Sequence, residues 1–237
     1  MIYAVIYGKV IIQKREAFVL ENSVSNNRAK VIGTMVEPIK FSHETYGESF
    51  YIFTVSVPRF SGTEDKIRVM APGLLIIGND YSVGDKVIIE GQFRSFNDMN
   101  EGKSRLVLTL FAKEMEVYAS EYDEQNPNTI YLNGYVCKEP VYRTTPFGKE
   151  ITDILVAVNR GFNKSDYIPV IAWNRNARYA QNLMVGDNIQ IWGRMQSRTY
   201  YKTISETEKE ERTAYEVSVN RMAINEPMRD EYSDGYC

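Results

Sequence analysis

The chain has 237 residues, 43% hydrophobic and 25% charged, with a formal net charge of −3. That length suits one large domain or two of roughly 100–120 residues, with the composition of an ordinary globular protein able to bury a core. No run approaches the ~18–20 continuous apolar residues of a membrane span, and a negative total charge gives no general affinity for phosphate. Residues 1–12 (MIYAVIYGKVII) are apolar but broken by Gly8 and Lys9. Without a basic leader or a small-residue cleavage site they read as an extra strand or as part of an extension (1–28) ahead of the first domain, not a signal peptide. Residues 53–57 (FTVSV) are apolar or small and rich in β-branching, as in a strand covered on both sides. Residues 71–79 (APGLLIIGN) allow at most a helical stub, given their proline and glycines. A Gly-Asp turn then leads into 86–91, where Val87 and Ile89 share one face and Gly91 marks a bulge or sharp bend. Residues 97–104 (NDMNEGKS) interrupt the last hairpin, and the acidic 119–129 (ASEYDEQNPNT), with its Asn-Pro-Asn turn, reads as a linker.

After the linker the chain repeats itself. Residues 185–197 (VGDNIQIWGRMQS) return the pattern of 83–95 (VGDKVIIEGQFRS) about 102 positions later. Gly134 to Pro140 likewise answers Gly33 to Pro38, and 154–160 (ILVAVNR) answers 53–59 (FTVSVPR). Residues 177–183 (ARYAQNL) read as a short helix between the third and fourth strands of the second copy, and 203–213 splits its last hairpin. Five strands, a helix or turn after the third, and protruding hairpins define the fold class. It is all-β: two tandem five-stranded Greek-key barrels of the oligonucleotide/oligosaccharide-binding (OB) kind, at 29–118 and 130–226, with a short polar tail at 227–237. Cys137 and Cys237 show no pairing signature, which fits a reducing, cytoplasmic setting. His43 is the one histidine, so no zinc or other metal site is expected. There is no phosphate loop and no metal-ligand spacing, so no catalysis and no cofactor are expected either.

The second copy carries ordered blocks: 133–140 (NGYVCKEP), 142–148 (YRTTPFG), 155–162 (LVAVNRGF), 167–173 (YIPVIAW) and 186–200 (GDNIQIWGRMQSRTY). In this order and spacing the chain resembles the bacterial and phage single-stranded-DNA-binding proteins over roughly 129–225, and more faintly over the first copy. The resemblance implies sequence-tolerant binding of single-stranded DNA in replication, recombination or repair. Bases would stack on Phe162, Tyr167, Trp173 and Tyr200, with Tyr201 beside the last. Cations at or near Arg143, Arg160, Arg194, Arg198 and Lys202 would meet the phosphates. The physical logic is that every nucleotide shares a flat π-face and a phosphate, whatever its base. Between Lys138 and Lys202 basic residues outnumber acidic ones roughly two to one, a local footprint that the total charge hides.

Each assignment has a plainer reading. Trp173 would serve equally as core. Trp192 is out of phase with Ile189 and Ile191, so it faces the other side of its strand, towards DNA or a neighbouring subunit. Arg194 and Arg198 alternate on one strand and therefore share a face. In the first copy Tyr51, Phe60, Phe93 and Phe96 are available with Arg59, Arg68 and Arg94. Residues 66–70 (KIRVM), however, hold nothing flat to match Tyr167 or Trp173, so this copy is expected to bind more weakly. Four barrels commonly act together in the resembling family, so two per chain imply a homodimer. The tail is acidic and aromatic but lacks the family's hydrophobic tip for partner recruitment. A scaffold that docks replication or recombination proteins, with little DNA binding, is the alternative, and RNA binding by the same fold stays open.

Overall fold

The computed structural model describes residues 26–100, 103–118, 126–203 and 209–225. Most of the N-terminal extension (1–25), the middle of the linker (119–125), 204–208 and the polar tail (226–237) lie outside the described residues. Cys237 lies there too. Cys137 is half-buried, and its thiol donates to the Leu155 carbonyl at 3.3 Å.

The first half comprises β1 (Asn27–Met35), β2 (Lys40–Thr45), β3 (Glu48–Pro58), β4 (Glu64–Pro72), α1 (Gly73–Ile76), β5 (Lys86–Asn100) and β6 (Lys103–Val117). The second comprises β7 (Asn128–Val136), β8 (Val141–Thr144), β9 (Glu150–Arg160), β10 (Lys164–Trp173), α2 (Arg175–Ala180), β11 (Asn188–Thr203) and β12 (Lys209–Ile224). In the first half β1, β3, β4, β6 and β5 close on one another in that order, with β4–β6 parallel and the other pairs antiparallel. The second half closes identically through β7, β9, β10, β12 and β11. These are the five expected strands of each OB barrel. A sixth short strand, β2 or β8, adds a hairpin arm to β3 or β9.

Alternation places the core where the sequence puts it. Val87, Ile89, Ile189 and Ile191 are fully buried inside the barrels, beside Phe53, Leu110, Leu132 and Ile168. The ladder register shifts at Glu90/Gly91 and at Trp192/Gly193, the bulges anticipated from the second glycine of each copy. A side chain there would collide with the carbonyl of Phe111 or of Ser218 across the ladder, which is why glycine stands at both. Helix α2 starts and ends earlier than the sequence suggests. Asn174 turns the chain at φ 49°, and the helix closes at Gln181. Leu183, the expected last helical residue, is instead carried into the core by the tight turn that follows.

The two barrels join through antiparallel β1 and β7, which pair Asn27 with Leu132 and Val31 with Asn128. The Ile32 amide donates to Pro127 and the Asn133 amide to Asn26, both at 2.7 Å, so the seam has approximate two-fold symmetry. The same symmetry relates two polar clasps. The Ser197 amide of β11 donates to Asp65 of β4 at 2.7 Å, and the Lys66 amide donates to the Ser197 hydroxyl at 2.8 Å. In mirror fashion the Ser95 amide of β5 donates to Asp166 of β10 at 2.8 Å, and the Tyr167 amide to the Ser95 hydroxyl at 2.7 Å. Both aspartates are buried, and each accepts a backbone amide from across the seam.

Candidate nucleic-acid interface

On β10 the even residues Ile168, Val170 and Ala172 fill the core, so Tyr167, Ile171 and Trp173 share the outward face. Trp173 stands at the strand end, half-buried, with its indole N–H donating to the Ser218 hydroxyl of β12 at 3.2 Å. Around it opens a cleft of about 710 Å³, walled by Arg143 and Lys149 of the β8–β9 hairpin and by Arg194 and Arg198 of β11. Arg59 of the first barrel lines it as well.

These cations differ in freedom. Arg143 donates to both oxygens of Asp153, at 2.7 and 3.3 Å, and that bond raises its pKa above the ordinary guanidinium value. Arg194 reaches Asp65 at 3.1 Å; burial, and then the neighbouring Arg59, lower its pKa. Arg59 is held on Asp65 through two guanidinium nitrogens, a bond that raises its own pKa. A guanidinium stays charged under all these influences. Arg198 is exposed, its guanidinium carbon 5.9 Å from the centroid of the Tyr200 ring. Arg194 and Arg198 do share a face, as the alternation implies.

The remaining expected residues fall elsewhere. Tyr200 and Tyr201 are consecutive on β11 and so point to opposite faces of the β11–β12 arm. Tyr201 donates to Glu211 at 3.0 Å. Lys202 follows on the same strand, its side chain outside the described part. Tyr167 shares Trp173's face but sits roughly 20 Å further along the strand, at six residues of ~3.3 Å each. Arg160 and Phe162 belong to a second cleft, on the first barrel. There the β9–β10 hairpin reaches across the seam, with Arg160 bonded to Asp166 at 3.3 Å and Phe162 almost wholly exposed at φ 61°. Each barrel thus lends its third-strand hairpin to the other's cleft.

Trp192 is out of phase with the buried Ile189 and Ile191, as expected, and is not among the residues that line the cleft. It packs at 5.3 Å on Tyr131 with Arg221 stacked 4.5 Å above it, on the outer surface of the continuous sheet. Among the first-copy candidates Phe93 is core, 1% exposed, and so is unavailable to a ligand. Sequence reasoning missed Phe147, exposed at the β8–β9 turn next to Gly148. Its counterpart, Tyr46 before Gly47, is equally exposed at the β2–β3 turn. The repeat would have revealed this pair had the turns been aligned as well as the strands. Among the described residues there is no cluster of three metal-ligating side chains, and no helix long and apolar enough to cross a membrane.

Residues 127–225 match the model of the single-strand binding protein family. A single-stranded DNA-binding protein of Clostridium tetani (strain Massachusetts / E88) is 38% identical over 80 residues, 31% of this chain and 55% of that protein. Single-stranded DNA-binding protein 1 of Staphylococcus aureus (strain COL) is 36% identical over 80 residues, 31% of this chain and 48% of that protein. The chain therefore spans about half the length of the curated relatives it matches. Among solved structures, wild-type single-stranded DNA binding protein from Thermus aquaticus superposes with a TM-score of 0.66 at 20% identity, covering 88% of this chain and 96% of that one. That likeness is one of fold, and it takes in both barrels.

Proposed function

We propose that the chain binds single-stranded DNA with little regard to sequence, on the premise that residues 127–225 match the model of the single-strand binding protein family. The observation that carries the reading is the cleft of the second barrel, where Trp173 lies among Arg143, Lys149, Arg194 and Arg198. An indole can stack any base, and the cations track the backbone on either side. Tyr167 on the same strand face, and Tyr200 on the arm beyond, extend this track. Lys202 follows Tyr200 in sequence and adds a charge. The reaction is sequestration, without turnover, in DNA replication, recombination or repair. Arg160 and Phe162 act from the neighbouring cleft rather than from this one.

The same reading extends to a homodimer. Trp192, Tyr131 and Tyr135 lie half-buried or exposed on the outer face of the joined sheet, an aromatic surface suited to a second copy. Sedimentation velocity distinguishes the 27.3 kDa chain from its dimer.

Fluorescence anisotropy with labelled oligo(dT) against a duplex of equal length tests the function. The reading requires tight binding of the single strand alone, weakening as salt rises through counterion release. Equal affinity for the duplex, or no binding at low salt, would leave the scaffold alternative standing.

A further inference from the structure

The repeat exchanges two residues on the penultimate strand of each barrel. Gln92 and Arg94 of β5 become Arg194 and Gln196 of β11, so glutamine and arginine trade places along the face that lines each cleft. In the first barrel Gln92 holds the Arg94 guanidinium at 2.8 Å, and Arg94 stands opposite Thr109. In the second the exchange sets Gln196 opposite Glu216 of β12, and its side-chain amide donates to Glu216 Oε1 at 2.5 Å. A carboxylate thus stands on the floor of a cleft whose walls carry Arg143, Lys149, Arg194 and Arg198. A negative charge there repels phosphate, and the fold does not require it, since Thr109 takes the same rung.

Neutralising the nearby cations does not account for Glu216. A bond to Asp65 raises the pKa of Arg59 and a bond to Asp153 that of Arg143; Glu216 is the smallest contributor to each. Among the described residues Glu216 forms no ion pair. Its second oxygen, Oε2, accepts no hydrogen bond from the described residues, and neither does the side-chain oxygen of Gln196. Glu216 is half-buried and Gln196 buried, so both are held in place rather than waving in solvent. On β12 Glu216 lies two residues from Ser218, which bonds the Trp173 indole, and therefore on the same face about 7 Å away. Two oxygens that can only accept thus stand beside the ring proposed to stack a base.

We infer that Glu216, held by Gln196, reads the edge of the base beside Trp173 and favours guanine over thymine at that one nucleotide. Guanine is the base whose Watson–Crick edge sets two donors side by side, N1–H and the N2 amino group, and one carboxylate accepts both. Thymine turns two carbonyl oxygens and a single N–H to the same place, while adenine and cytosine offer one amino group next to an acceptor. Gln196 is a positioning residue, since its amide fixes Oε1 and leaves Oε2 to the base. The inference rests on the reading of the second barrel as a single-strand binder and adds a graded preference at one position. Elsewhere along the strand, stacking and phosphate contacts remain blind to sequence.

The test uses the full chain and strands of about eight nucleotides, a length that one OB fold can cover. By anisotropy, an all-thymine strand is compared with strands in which a single guanine is moved through every position. At one position or more, guanine should tighten binding about tenfold, as expected for one bidentate base contact. Hypoxanthine at that position, which lacks the N2 amino group, should lose most of the gain. Glu216→Gln preserves the side chain's shape, so folding is not at issue. It should tighten the all-thymine strand, because a negative charge leaves the cleft, and bring the guanine-to-thymine affinity ratio close to one. A purely electrostatic role for Glu216 would shift both strands alike and leave the ratio as it was. Guanine favoured nowhere, hypoxanthine as good as guanine, or an unchanged ratio in Glu216→Gln would each overturn the inference while leaving single-strand binding intact. Failure of the unaltered chain to bind any of these strands would remove both.

Discussion

Asp65 ties stability to binding, and its replacement by asparagine should move the two in opposite directions. Its buried carboxylate receives two nitrogens of Arg59, one of Arg194 and the Ser197 amide. Asparagine keeps an oxygen for the amide but ends the ionic attraction. Removing one partner of a buried ion pair costs about 3–5 kcal/mol where the remaining charge stays buried. Here Arg59 and Arg194 keep 26% and 31% of their side chains exposed and can rehydrate, so the lower range applies. We expect a loss of about 2–3 kcal/mol, read from urea unfolding followed by tryptophan fluorescence. The same change frees two guanidinium groups that line the second cleft. Each additional phosphate contact steepens the salt dependence on a single strand by about 0.7, so the slope should increase by up to about 1.4. A variant as stable as the parent, with an unchanged salt slope, would refute both the clasp and the placement of these arginines in the cleft.

Three further outcomes follow from the geometry. Burial, outweighing the Ser95 amide and then Arg160 and Arg94, holds the Asp166 carboxyl above the ordinary aspartate range. The folded state then binds its proton more tightly than the unfolded state, so this group's stabilisation is full below about pH 4 and is lost as pH rises through the folded value. The stability of Asp166→Asn relative to the parent should therefore improve from acid to neutral pH in urea titrations; a pH-independent difference would contradict the assignment. Gly193→Ala should cost about 3 kcal/mol in thermal or urea unfolding, since its methyl meets the Ser218 carbonyl. Gly148→Ala, at φ +75° in open space, should cost only about 1 kcal/mol. Arg198→Ala should weaken oligo(dT) binding more than Arg143→Ala in parallel anisotropy titrations, because Arg143 must first leave Asp153.

What the sequence made legible was local or periodic. The strand alternation around Val87 and Ile189, the glycine bulges and the outward set of Trp192 each follow from a few neighbouring residues. The duplication supplied the two-barrel plan. What stayed hidden depends on pairing between the copies. Arg160 and Phe162 look like parts of the second barrel's site because they precede Tyr167 in the chain. The β1–β7 seam turns their hairpin towards the other barrel, and no local pattern encodes that seam. The aromatics of the first cleft were overlooked for a related reason. Phe50 and Phe111 line it from the strands on either side of β4, so a comparison of third strands alone finds nothing. The ends of α2 were misjudged because Leu183 reaches the core from a turn, and its burial leaves the same apolar spacing as a helix would.

The most direct measurement of the central claim exploits the two tryptophans, of which Trp173 lines the cleft and Trp192 does not. Trp192→Phe leaves Trp173 as the sole indole, and Trp173→Phe leaves Trp192. Titrated with oligo(dT), the Trp173-only protein should be strongly quenched to saturation, while the Trp192-only protein should change little. Quenching of Trp192 with Trp173 silent would place the strand on the outer sheet and contradict the account.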